Sequence, residues 1–259
     1  MRSAAMAVPL PECLSAAAHA CLRAATPEDK LALTFATADA FAHGELAIAD
    51  DAPPPEPIRM PGRPERPTLV HPRELPRRGF GSDEGSAAFL HSIAHIEFNA
   101  IDLAWYAVYR FRGMPPAFYA DWAQVAHDEA RHFAMLRERL NAFGRDYGDF
   151  DAHNGLWEMA EKTAHSALER MALVPRVLEA RGLDVTPAMI VKLRQLRDDA
   201  TADILDVILR EEIGHVAAGS RWFRWHWRSC CFGPDGARAC CGGWASWRLC
   251  CSCPTRLTR

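Results

Sequence analysis

Two stretches of this sequence set a carboxylate and an imidazole three residues apart. They are Glu129 and His132 in VAHDEARHF, residues 125–133, and Glu212 and His215 in REEIGHVAAG, residues 210–219. Positions three and four apart share a helix face, so each pair projects together. The same faces are apolar. Trp122, Val125, Ala126, Phe133 and Leu136 flank the first pair, and Leu205, Ile208, Leu209, Val216 and Gly219 flank the second. Glu97 is set in the same way among Ile93, Ala94, Ala100, Ile101, Ala104 and Val108. A carboxylate on a core-facing stripe must be neutralised or take up a proton. Three of them in one small protein point to a shared remedy. A pair of divalent ions offsets four carboxylates, and two imidazoles add neutral nitrogen donors.

The spacing agrees with that chemistry. Di-iron carboxylate bundles take one Glu from each of two helices and Glu-x-x-His from each of the other two. Glu97 lies upstream of the first pair, and Glu179 lies about as far upstream of the second. Two half-sites related by a pseudo-twofold axis would follow. Glu158, Glu161 and Glu169 are also available near Glu179, and periodicity does not choose among them. His91, His95, His127, Asp128 and Asp206 are candidates for packing, or for orienting a ligand from outside the metal shell.

These side chains need long helices. Residues 1–50 are Ala- and Leu-rich and predict short helices, with TPEDK at 26–30 as a helix start. Residues 51–81 are too rich in proline for helix or central strand and predict a linker or strap. Its six arginines are diluted by three glutamates. From 82 to 227 the period is helical. Ser82 is the N-cap of a first long helix, GMPP at 113–116 ends it, and a second runs to about Phe143. GRDYGDFDAHNG then forms a long connection. A third helix is expected over 156–181, bent at Pro175, with RGLDVTP as its cap and a new start at Thr186 and Pro187. A short helix to about Leu196 and a fourth long helix over 198–227 complete the pattern. Four long helices with one long crossover describe an all-α, ferritin-like four-helix bundle carrying an N-terminal helical extension and a proline-rich strap.

The segments AHIEFNAIDL, DEARHF, MALVPRVLEARGLDVTP and EEIGHV resemble the ferritin-like superfamily, and within it an uncharacterised bacterial family of single-chain proteins. The resemblance covers roughly residues 10–227. That family is distantly similar to the tRNA-modifying di-iron monooxygenase, whose third helix supplies a metal ligand from a Glu-Ala-Arg segment. The EAR at 179–181 matches it, so the resemblance favours Glu179 over Glu169. It implies the ligand set Glu97, Glu129, His132, Glu179, Glu212 and His215, holding two iron ions or a mixed manganese–iron pair. It also implies dioxygen activation toward an unidentified substrate, with an electron-donor protein as a partner.

Bulk properties narrow the classes. At 259 residues and net charge -3, the chain predicts no strong pull on nucleic acid or anionic lipid. No apolar run reaches the length of a membrane span. Pro9, Pro11, Glu12 and His19 interrupt any export signal, so a cytoplasmic location is expected. Seven of the nine cysteines lie between Cys230 and Cys253, which leaves the body almost free of disulfide chemistry. The tail over 228–259 matches no zinc ribbon or finger. It is read as a disordered, frame-shifted or truncated end of a GC-rich gene. A non-catalytic iron-binding or iron-oxidising protein and a metal-free helical interaction module are the alternative functions.

Overall fold

A computed structural model describes residues 8–49, 54–76 and 79–231, with the side chains at 178, 179 and 229–231 outside the description. The described residues are all-helical, with two isolated β-bridges and no strand. The cysteine-rich tail beyond Cys231 lies outside the described residues.

Helix α1 spans Leu14–Arg23 and buries Leu14, Ala17, Ala18, Cys21 and Leu22 along one face. Helix α2 spans Pro27–Ala42. Its start follows the expected chemistry: Thr26 Oγ1 accepts from Asp29 N at 3.1 Å, Pro27 opens the first turn, and Glu28 and Asp29 offset the helix dipole. Inside α2, Lys30 is fully buried. Its Nζ meets Asp102 Oδ1 at 2.5 Å and the Cys21 carbonyl at 3.2 Å.

Helix α3, Asp83–Arg110, is the central element. Ser82 caps it, its Oγ accepting from Gly85 N at 3.1 Å. Every residue from Glu97 to Tyr109 is buried, as expected of a helix surrounded by others. It packs on α1, α4 and α5. The turn that follows is held by Tyr119, whose hydroxyl donates to Phe111 O at 3.1 Å and accepts from Met114 N at 3.3 Å. Helix α4, Pro116–Asn141, returns along α3 and also touches α2 and α8.

The segment between α2 and α3 is docked on the helices. Gly62 N donates to Leu22 O at 2.6 Å, Tyr109 Oη accepts from Glu56 N at 2.8 Å, and Trp157 Nε1 donates to Arg59 O at 2.8 Å. A side chain at Gly62 would fall 2.3 Å from the Arg23 carbonyl oxygen, so only glycine permits that approach. The α4–α5 link pairs with the same segment through Val70 N to Ala152 O and Ala152 N to Thr68 O.

The third helical region departs from expectation. Instead of one bent helix over 156–181, α5 spans Gly155–Lys162 and α6 spans Ala167–Leu173. The break is set by Ser166, whose Oγ accepts from Glu169 N at 3.2 Å and starts a new helix. Arg170 ties the two pieces: it is buried, donates from Nε to Thr163 Oγ1 at 2.7 Å and lies over the Tyr106 ring. A π-helical turn, Val174–Glu179, follows, and α7 runs on through Ala180–Gln195. The proline at 175 lacks the N–H of a regular turn, and the wider turn accommodates it. The expected cap at RGLDVTP and restart at Thr186 do not occur. Gly182 is not among the left-handed glycines, and Pro187 lies inside α7. Pro187 removes one hydrogen bond, but α7 packs along α8 and stays helical. Helix α8, Asp199–Cys231, begins after Arg197 at φ 62°. Arg139 of α4 grips that start through Asp198 at 2.8 Å and Thr201 at 3.0 Å.

Two glycines of α8 test this packing. A Cβ on Gly219 would sit 2.3 Å from the Pro175 ring, whereas one on Gly214 meets nothing within 4 Å. Gly219→Ala should therefore destabilise by about 1–3 kcal/mol, through overpacking. Gly214→Ala should stabilise by about 0.5–1 kcal/mol, through helix propensity. Urea denaturation of both variants measures the two signs. Equal stability would contradict the α8–π-turn contact.

Candidate metal centre

Glu97 comes from α3, Glu129 and His132 from α4, and Glu212 and His215 from α8. One ligand atom from each of Glu97, Glu129, His132 and Glu212 lies within 4.8 Å of every other, a group that could hold a metal ion. His215 joins it: its Nδ1 is 3.1 Å from Glu129 Oε1 and 3.3 Å from Glu212 Oε1. His132 Nδ1 is 3.3 Å from Glu97 Oε2 and 3.5 Å from Glu129 Oε2. Glu129 therefore stands between the two imidazoles, and both faces of it are in use.

The setting is dry. Glu129 is 1% exposed, His132 0% and His215 3%. Burial pushes the carboxyl of Glu97 well above the usual range, and the charge of Glu129 adds to this. Burial and Glu129 raise Glu212 in the same way. Burial also opposes ionisation of Glu129, yet Glu97 and the two imidazoles outweigh it and hold Glu129 below the usual range. Burial alone would lower His132. Glu129 and Glu97 overcome that and push it up to about 11. His215 is raised likewise, against burial, by Asp128, Glu129 and Glu212. Protons thus compensate the buried negative charge when no ion does. They do so incompletely: both oxygens of Glu129, Oε2 of Glu212 and Nδ1 of His215 are buried with no hydrogen-bond partner. Inward-facing oxygens and nitrogens without donors or acceptors suit divalent cations.

The outward nitrogens are braced across the helix pair. His132 Nε2 lies 2.6 Å from Glu211 Oε2 on α8, and His215 Nε2 lies 3.5 Å from Asp128 Oδ2 on α4. Arg131 joins both carboxylates, its Nη2 being 2.5 Å from Glu211 and 3.2 Å from Asp128. A carboxylate on Nε2 fixes the imidazole tautomer and leaves Nδ1 free for an ion. Glu211 lies outside the sequence-predicted set. It precedes Glu212 as Asp128 precedes Glu129, but that adjacency alone does not mark it as a partner of His132.

The remaining candidates fall elsewhere. Asp206 is bound by Arg194 at 2.6 Å on the surface and orients no histidine. His95 meets Tyr147 Oη at 2.8 Å and His153 O at 3.1 Å, and His91 Nε2 accepts from Gly148 N at 3.0 Å. Both therefore hold the α4–α5 link. Burial drives His95 down to about 3, so it is neutral. Glu158 and Glu161 are exposed, and Glu169 pairs with His165 at 3.2 Å. Glu179 closes the π-helical turn, and its side chain lies outside the described residues.

Replacing Glu211 by Gln should weaken metal affinity about 10–100-fold, the usual effect of losing an outer partner. Asp206→Asn should leave it unchanged. Competition with a chromophoric chelator measures both. The pH dependence has a defined sign. A proton on Nδ1 and an ion compete for the same lone pair, so affinity falls as pH is lowered. With both imidazoles protonated in the ion-free state, the apparent constant should change about tenfold per pH unit for each proton released. Titrations between pH 6 and pH 8 check this, and a flat profile would contradict it.

A family model described as "Protein of unknown function (DUF455)" matches residues 23–234, a span that contains all five clustered side chains. The chain is also 54% identical over 167 residues to an "Uncharacterized protein" of Haemophilus influenzae. That alignment covers 62% of this chain and 58% of the relative, so the chain matches less than two thirds of the relative's length. No solved structure matches. A helical chain matched over most of its length by that one model belongs to the DUF455 family.

Proposed function

We propose that this protein is a di-iron carboxylate protein with a ferritin-like four-helix bundle, and that it acts as an oxygen-activating oxidase or hydroxylase. The observation that carries this is the convergence of buried carboxylates and imidazoles on Glu129, with several of their ligand atoms forming no hydrogen bond. In this reading Glu97, Glu129 and His132 hold mainly one iron. Glu212 and His215 hold mainly the other, and Glu179 supplies the fourth carboxylate. A manganese–iron pair fits the same donors. Iron bound there would supply electrons to dioxygen for oxidation of a substrate. The chain's own part is separate from that step. Its apolar stripes exclude water, Glu211 and Asp128 orient the two imidazoles, and Arg131 fixes those carboxylates in turn. An electron-donor protein and a cytoplasmic setting belong to the same proposal, and a nucleic-acid substrate is disfavoured by the net charge of -3.

A second reading is iron oxidation or buffering without an organic substrate, which the same buried donors would serve.

Metal analysis of the purified protein should give two irons per chain, with a near-ultraviolet oxo-bridge absorption. Glu129→Ala should lose at least one of them. Retention of both irons by the variant, or none in the parent, would reject the assignment. Dioxygen uptake that continues past one stoichiometric turnover, with reductant present, supports the oxidase. Uptake that stops there supports the second reading.

A further inference from the structure

The side of α3 opposite Glu97 holds a different set of groups. Successive helical residues are about 100° apart, so His95 and Asn99 are rotated some ~200° from Glu97. Together with Asp102 they face the docked strap and the α4–α5 link. Two adjoining clefts open there. The larger, about 540 Å³, is lined by Thr26 and Pro27 at the start of α2, Arg63 and Arg66 of the strap, Arg137 of α4 and Tyr147 of the link. The smaller, about 340 Å³, shares Arg63 and Tyr147 with it and reaches His95. Clefts of this size suit small molecules.

The arginines around them are not equally satisfied. Arg137 is satisfied, with Asp146 at 2.7 Å on Nε and 2.8 Å on Nη2, and Glu28 at 2.5 Å on Nη1. Arg63 is not. Its Nη2 donates to Asn99 Oδ1 at 3.1 Å, while its Nε and Nη1 are buried without an acceptor. The carboxylate that acts on it from the core, Asp102, is already held by Lys30. A guanidinium stays charged in a protein, so its burial demands an anion. Glu65 also lines both clefts, and among the described residues the acceptor for the Arg63 guanidinium is the neutral amide oxygen of Asn99.

We propose that these clefts bind a small molecule through an oxyanion group, phosphate or carboxylate, seated against Arg63 and Arg66. The planar fork of arginine matches both anions, and the aromatic ring of Tyr147 gives the remainder of the ligand an apolar wall. The site is separate from the metal centre and lies on the other face of the same helix.

The test is calorimetric titration of the full-length chain with sodium phosphate, adenosine 5′-monophosphate and citrate, at constant ionic strength set by chloride. The expected result is saturable binding of at least one probe, weakened tenfold or more in Arg63→Met and in Arg66→Ala. Arg66 is exposed, so the second variant keeps the fold if the first does not. Metal content, unchanged in both variants, separates loss of this site from loss of the metal centre. Preference for the phosphates assigns a phosphorylated ligand, and preference for citrate assigns a polycarboxylate. Titrations indistinguishable from chloride for all three probes, or equal affinity in the parent and both variants, would overturn the proposal.

Discussion

A carboxylate cannot sit ionised in a helical core without a compensating charge, and Glu129 sits there 1% exposed. That requirement organises the helices around it. His132 comes from the same helix, His215 and Glu212 from α8, and Glu97 from α3, so three helices must approach one point. The approach is fixed from outside as well. Arg131 draws Glu211 and Asp128 together across α4 and α8, and each of those carboxylates addresses the imidazole of the opposite helix. The centre and its brace form one network, in which shifting either helix would leave a buried charge unmatched. Hydrogen bonds within the protein do not complete it, since the two oxygens of Glu129 face the imidazoles as ion pairs and accept no hydrogen bond.

Helix α3 faces two such problems and solves them differently. On one side Glu97 belongs to the cluster. On the other, Asp102 is neutralised by a fully buried lysine from α2. Burial pushes the Asp102 carboxyl up to about 6, with Lys30 and then Arg63 pulling it back. The ion pair joins α2 to α3, and α2 begins directly beneath the strap arginines. Helix α3 therefore carries a buried carboxylate on each of two faces, each met by elements distant in sequence. Apolar burial alone would let α3 rotate between its neighbours; the two charged contacts fix which face meets which partner.

The paired Glu-x-x-His stretches and Glu97 were legible because a carboxylate on an apolar stripe contradicts its surroundings, and that contradiction is visible in one dimension. Ser82, Thr26 and the proline-rich segment were legible for a similar reason, being local rules with local residues. Glu211 was not, because it stands one position from the buried stripe and looks like an ordinary solvated residue. Only the crossing of α4 over α8 brings it to His132. Asp206 had a plausible spacing, but Arg194 from the preceding helix claims it. The sequence shows a polar residue's face, whereas its partner depends on how helices cross.

The third helical region shows the limit most clearly. Periodicity could not choose between Glu169 and Glu179, and the structure supplies a physical reason. The π-helical turn at Val174–Glu179 begins after Glu169 and ends on Glu179. Such a turn inserts about one extra residue, which rotates everything after it by some ~100° relative to a regular helix. A stripe followed from Met171 toward Leu193 at a constant period therefore loses its register at that turn. The wide turn is held in place by close packing: Pro175 rests where a side chain on Gly219 would have to go. A proline in one helix and a glycine in another together set the register of α7. Neither residue carries that information alone, so the face presented by the third helix is a property of the packed pair.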